Sequence, residues 1–263
     1  MKVSQLYIYP IKSLGGISVE TVHVTDRGFE HDRRWMLIDE QNRFVSQREN
    51  AVMALLQVEL LVNGLKVFHK QQPDQSFIIP FGPYHTSEIT VQIWDETASA
   101  VLVSDAADTW FSSMLQMPVR LVYMPDESHL PVNPKHGIFS LTSFSDGYPI
   151  LLLSEASLED LNGKLTEPLP INRFRPNLVI DGVEAFEEDG MKKFRIGDLI
   201  FYGVSLCPRC VLTTIDQLTG EKAKEPLKTL ATYRRTGNKI NFGVNVIAAD
   251  IGSIGIGDPV TNL

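Results

Sequence analysis

Residues 199–215 read Leu-Ile-Phe-Tyr-Gly-Val-Ser-Leu-Cys-Pro-Arg-Cys-Val-Leu-Thr-Thr-Ile. Five of the first seven are the apolar, aromatic or β-branched residues that a pleated strand favours, so residues 199–205 read as a strand. Cys207 and Cys210 therefore fall where a strand ends and a loop begins, with Pro208 stiffening that loop. A thioredoxin-like Cys-x-x-Cys pair opens a helix after a strand, in a βαβ setting. Residues 211–215 are poor in helix formers, so this stretch points away from an α/β wind and towards a chain built mainly of strands.

The flanking sequence agrees. Residues 3–8 alternate before Pro10, and residues 35–38 and 44–46 flank a polar turn at 39–43 that contains Asn42. Residues 58–62 face 65–68 across Asn63-Gly64, a strong hairpin signal. Further strands are expected at 89–94, 100–104, 178–180, 194–196, 244–248 and 259–260. Helices are few. Ser104-Asp105 would cap one that buries Trp110, Phe111, Met114 and Leu115 before Pro118. Ser154 would cap another ending at Asn162-Gly163, and Pro226 suits the first turn of a third. The proline-rich run at 124–137, with Pro125, Pro131 and Pro134, divides an N-terminal β part from a C-terminal part.

The chain has 263 residues, 43% hydrophobic and 21% charged, enough for a large core and without a disorder signature. Its net charge of -8 disfavours a nucleic-acid binder, which would show a basic excess. No apolar run approaches a membrane span, and the N-terminus lacks the pattern of a signal peptide. A cytoplasmic protein without membrane contact is expected.

Two cysteines preclude a disulfide framework. A zinc site needs four soft or imidazole ligands, and His23, His31, His69, His85, His129 and His136 lie upstream with no paired ligand spacing. Two buried structural cysteines remain an open reading. The functional reading draws on Arg209, a fixed cation beside the thiols that favours the thiolate a soft metal wants. One thiolate cannot hold a bare ion tightly, but it can ligate a metal already chelated by an organic cofactor. Cations also gather at turns: Lys12 and Ser13, then Arg33 and Arg34, then Arg48 after Ser46-Gln47, then Arg173 and Arg175. Such residues suit a phosphorylated ligand, although salt-bridged surface positions would explain each motif singly. Arg175 precedes Pro176 and is expected to be extended. No Walker loop or GxGxxG fingerprint occurs.

Five segments, in order, resemble the MOSC family, named for the C-terminal domain of molybdenum-cofactor sulfurase. They are YPIKSLGG at 9–16; HDRRWMLID at 31–39 with FVSQRE at 44–49; SFSDGYPILLLSEASLEDLN at 143–162; RFRPNLVIDG at 173–182 with FEED at 186–189; and residues 207–234 followed by NFGVN at 241–245 and IGDPV at 256–260. The resemblance is to the subgroup that includes the mitochondrial amidoxime-reducing components and their bacterial relatives. It implies a mainly β chain with a few helices: an N-terminal β-barrel domain over residues 1–124, packed on a MOSC β-barrel domain over 125–263.

The resemblance further implies a molybdenum cofactor, its metal bound by Cys210. Lys12, Ser13, Arg33, Arg175, Arg209 and Asn245 would contact the pterin and its phosphate, and Asp146, with Ser145 and Gly147, would lie beside the metal. Cys207 is assigned a supporting place near Cys210. The implied reaction is reduction of N-hydroxylated small molecules, with Asp146 relaying a proton to the departing oxygen. Read from its residues alone, Ser145-Asp146-Gly147 is equally a plain turn. Some bacterial relatives continue into a plant-type ferredoxin domain, whose cluster needs four cysteines. Both cysteines here are already assigned, so electrons would come from a separate reductase or ferredoxin, or from a segment missing from a truncated chain. Sulfur transfer through a Cys210 persulfide, or a non-catalytic cofactor carrier, are the competing functions.

Overall fold

The computed structural model describes residues 1–132 and 140–263; Pro134 and His136 lie outside the described residues. The largest sheet runs, in spatial order, Ile17–Val19, Lys2–Ile8, Leu178–Asp181, Ile150–Ser154, Lys239–Ala248, Leu199–Pro208, Phe194–Ile196 and Val260–Asn262, with Arg235–Thr236 pairing beside Lys239–Ala248. Only Ile150–Ser154 and Leu178–Asp181 are parallel, and the helix Glu155–Asn162 lies in the crossover between them. The sheet turns back on itself. Val260 N–H donates to the Met1 carbonyl at 3.1 Å and Val3 N–H to the Asp258 carbonyl at 2.9 Å. A barrel closed this way leaves few strand edges open. Its interior is filled from both ends of the chain, by Val3, Leu6 and Ile8 with Phe194, Phe201, Val246 and Val260.

A second core lies under two smaller sheets. One orders Trp35–Ile38, Arg120–Tyr123, Glu96–Leu102 and Glu88–Ile93, all antiparallel; the other is a meander of Leu56–Leu61, Gly64–His69 and Gln72–Pro80. The helix Asp105–Leu115 buries Ala107, Phe111 and Leu115 on this core, while Trp110 and Met114 are half-buried. The caps are those expected. Ser104 accepts from Ala107 N–H, and Ser154 accepts from Ser157 N–H.

Several local expectations need correction. In the first hairpin Leu61 pairs with Gly64, so the turn is Val62-Asn63 and not Asn63-Gly64. Gly64 serves close approach: a Cβ there would lie 2.3 Å from the Ile79 carbonyl oxygen of the third strand. Residues 44–46 make an isolated bridge to Ile38 and no strand, because the chain bends so that the Gln47 amide reaches the Ser13 carbonyl at 3.1 Å. Pro226 caps the helix Leu227–Tyr233 as expected of a proline at its start, its carbonyl accepting from Leu230 N–H at 2.9 Å.

Two of the connections between the cores build the site. Residues 9–16 leave the barrel strand Lys2–Ile8 and place Ile11 and Leu14 in the second core; residues 30–34 join barrel-side Phe29 to Trp35. They run side by side: Lys12 N–H donates to the Trp35 carbonyl at 2.8 Å and Arg33 N–H to the Tyr9 carbonyl at 2.9 Å. Lys12, Ser13 and Arg33 are thereby carried to the seam.

Strand Leu199–Pro208, which bears Cys207, depends on Gly203. A Cβ at Gly203 would sit 2.1 Å from the Met191 carbonyl oxygen, a backbone atom that cannot swing aside. Gly203→Ala is expected to lower stability by about 3 kcal/mol, read as a shifted urea midpoint. An unchanged midpoint would show that the 191–192 backbone yields freely.

Candidate cofactor site

At the seam lies a cavity of about 310 Å³ lined by Lys12, Ser13, Arg33, Ser145, Asp146, Arg175, Arg209, Cys210 and Asn245. Gly147, expected with Ser145 and Asp146, has a positive φ of 101° but is not among the lining residues. Cys207, Arg48, Tyr148, Phe174, Asn177 and Thr213 complete much of the wall. Among the lining residues five cations face one carboxylate, in a chain whose overall charge is -8.

The cations are held by different means. Arg33 pairs with buried Asp32 at 2.6 Å and donates to the Asn177 side-chain oxygen at 3.0 Å. Arg175 donates to the Leu14 carbonyl at 2.6 Å. Both guanidinium groups lie against the ring of Tyr9, at 4.4 Å for Arg33 and 4.2 Å for Arg175, a geometry in which ring electrons offset like-charge repulsion. Burial pushes the Tyr9 hydroxyl far up, so the ring stays neutral. Burial also brings Arg175 down to about 10, with Tyr9 opposing that shift and Arg33 adding to it, and leaves the group cationic at neutral pH. The Asp32 carboxyl is raised by burial, against the pull of Arg33.

Lys12 is buried; its ammonium donates to the Phe144 carbonyl at 2.7 Å and pairs with Asp146. Burial lowers its proton affinity and Asp146 works against that. Asp146 presents a half-exposed carboxylate and also accepts from the Trp94 indole N–H at 3.0 Å. Burial there acts to raise its pKa, but Lys12, through charge and hydrogen bond, then Trp94 and Arg48, outweigh it and hold the carboxyl well below the usual range.

Both thiols are free and half-buried. Cys207 lies within the strand, and Cys210 precedes a single turn of 3₁₀ helix, Val211–Thr214, so no α-helix opens at the pair. Arg209 addresses Cys207, at 3.1 Å from nitrogen to sulfur, and donates to the Phe174 carbonyl at 2.6 Å. Among the described residues its buried Nε finds no hydrogen-bond partner. Among the described residues no three His, Cys, Asp or Glu converge as a metal cluster.

Arg175 is not extended, as its place before Pro176 led one to expect. Its φ is 54°, in the left-handed region, held by the bond to Leu14 and the contact with Tyr9. Ser13 (φ 70°) and Arg33 (φ 49°) share that region, and so does Trp94 (φ 54°) beside Asp146. Strained non-glycine residues gathered at one cavity are a mark of a built site. Sequence reading left out Asn177, although it sits in RFRPN, and Trp94, which reaches the seam only because a hairpin carries it there.

No described helix is long and apolar enough to cross a membrane. Residues 1–118 match the MOSC N-terminal beta barrel domain and residues 141–261 match the MOSC domain. The chain is 32% identical over 279 residues to mitochondrial amidoxime-reducing component 1 of Homo sapiens, covering 98% of this chain and 82% of that protein. It is 33% identical over 279 residues to mitochondrial amidoxime reducing component 2 of Bos taurus, with the same coverage of each. To the molybdenum cofactor sulfurase of Oryza sativa subsp. japonica it is 31% identical over 271 residues, which span 95% of this chain and 33% of that one. This chain belongs to the MOSC family, with the family's N-terminal β-barrel domain preceding its MOSC domain.

Proposed function

We propose that the protein is a molybdenum-cofactor-dependent oxidoreductase that reduces N-hydroxylated small molecules, with the metal bound by the Cys210 thiolate. The observation that carries this reading is the convergence of Lys12, Arg33, Arg175, Arg209 and Asn245 with Cys210 on one cavity. Its relatives include proteins named for amidoxime reduction and for the molybdenum cofactor.

The residues fit such a group. A terminal phosphate suits the cation excess around Tyr9, where Arg175 and Arg33 are already desolvated and oriented. The Arg209 guanidinium and the Asn245 amide, both in the cavity wall, are suited to hydrogen-bond a polar heterocycle. A soft thiolate suits the metal. When bound, the cofactor supplies two electrons that, with two protons, convert an N-hydroxyl compound into its reduced form and water. Asp146, ionised and half-exposed, accepts a hydrogen bond from a substrate N–H and orders the water that hands a solvent proton to the leaving oxygen. Lys12 keeps that carboxylate anionic and fixed. Electrons arrive from a separate donor protein.

Protein made in cells that synthesise the cofactor should contain roughly one molybdenum per chain and convert benzamidoxime to benzamidine with a low-potential chemical reductant. Cyanolysable sulfur without molybdenum would replace this reading with sulfur transfer. Bound pterin without turnover would make the chain a carrier.

A further inference from the structure

Arg48 lines the cavity, yet the proposed cofactor contacts leave it unused. Lys12 has Asp146, Arg33 has Asp32, Arg175 has the Leu14 carbonyl and Arg209 the Phe174 carbonyl. Among the described residues the Arg48 guanidinium makes no hydrogen bond to a carboxylate or carbonyl, although its charge acts on Asp146; its contact is the face of Trp94, at 4.2 Å from the ring centre. Trp94 occupies the turn between Glu88–Ile93 and Glu96–Leu102. Its indole donates to Asp146 and its ring meets Phe44 edge-on at 4.5 Å. The Arg48 backbone is also pinned, its carbonyl accepting from Lys222 Nζ at 3.0 Å. The guanidinium is therefore seated on a ring with its donors unspent.

This cation stands at the open end of the cavity. Trp94 is 38% exposed and the Asp146 side chain 52%, whereas Arg175 is 8% exposed beside buried Tyr9. A phosphate held by Arg33 and Arg175 would use the more buried part of the wall, where Arg175 is 8% exposed. A molecule entering from solvent meets Arg48 and Asp146 together, a cation and an anion flanking the route in.

We propose that Arg48, seated on Trp94, is a specificity subsite for a carboxylate carried by the substrate, so that the preferred N-hydroxylated compounds are anionic ones. This rests on the reductase reading given above. The planar fork matches a carboxylate bidentately, and its partial exposure makes the preference salt-sensitive.

The test compares benzamidoxime with its 4-carboxy analogue on the molybdenum-loaded protein. The wild type should favour the carboxylate compound, and Arg48→Ala should reduce the ratio of the two kcat/KM values about tenfold, mainly through KM. Arg48→Lys should recover part of the ratio, and added salt should erode it in the wild type but not in Arg48→Ala. A ratio that holds within about twofold in Arg48→Ala overturns the proposal. So does loss of molybdenum from that variant, since Arg48 would then serve the cofactor. If the wild type reduces neither compound, the reductase reading fails on its own. Calorimetric binding of 4-carboxybenzamidine then decides: about tenfold weaker binding to Arg48→Ala supports the subsite, and equal binding overturns it.

Discussion

Replacing Cys210 with serine is expected to take the protein from roughly one molybdenum per chain to a few per cent of that, with the fold intact. A serine hydroxyl stays protonated near neutral pH and is a hard, weak ligand for a metal that prefers thiolate. The local structure does not depend on the sulfur. Cys210 is held through its carbonyl, which accepts from Thr213 N–H at 3.1 Å and from the Thr213 hydroxyl at 2.9 Å, and serine keeps both bonds. Metal analysis beside a thermal melt separates the two properties. Cys207→Ser is the informative contrast: its sulfur engages Arg209, so that variant should keep most of its metal. Full metal retention by Cys210→Ser would remove the foundation of the proposed function.

Arg175→Met should reduce bound pterin at least about tenfold, a second large effect arising from charge and not from ligation. Arg175 is a buried cation whose desolvation is already met by the fold, so its remaining donors face the cavity at full electrostatic strength. Methionine fills similar volume but offers no donor, and it leaves the Leu14 carbonyl without its side-chain partner, at a cost of about 1–3 kcal/mol. Relief of repulsion with Arg33 on the same ring offsets part of that cost, so the urea midpoint should move far less than the pterin content. Arg175→Lys keeps the charge but loses the fork, and should fall between. Pterin released by oxidation and read by fluorescence measures the effect; wild-type content in Arg175→Met would place the phosphate elsewhere.

Features set within a few residues were legible before the fold was known. Ser104 and Ser154 are helix caps because a short hydroxyl followed by helix formers satisfies orphan N–H groups wherever the helix packs. The strand ahead of Cys207 and the lack of an α-helix after Cys210 follow from residue type. Errors arose where a neighbour distant in sequence decided the local geometry. Gly64 looked like a turn residue but makes room for Ile79 and Pro80 of another strand. Residues 44–46 had a strand's composition, yet the chain turns to let Gln47 reach Ser13. Arg175 took the left-handed region because Leu14 and Tyr9 hold its side chain.

The amino-acid order alone determined which groups were at hand: two thiols three residues apart, cations at turns, a carboxylate before a glycine, and strands enough for barrels. Their meeting was decided by pairings that no local pattern encodes. Lys2–Ile8 joins Leu178–Asp181, the first residues bond to 258–260, and the crossings at 9–16 and 30–34 bring Lys12 and Arg33 to Asp146, Arg175 and Cys210. Strand periodicity specifies which face of a strand is buried, but not which distant strand will cover it.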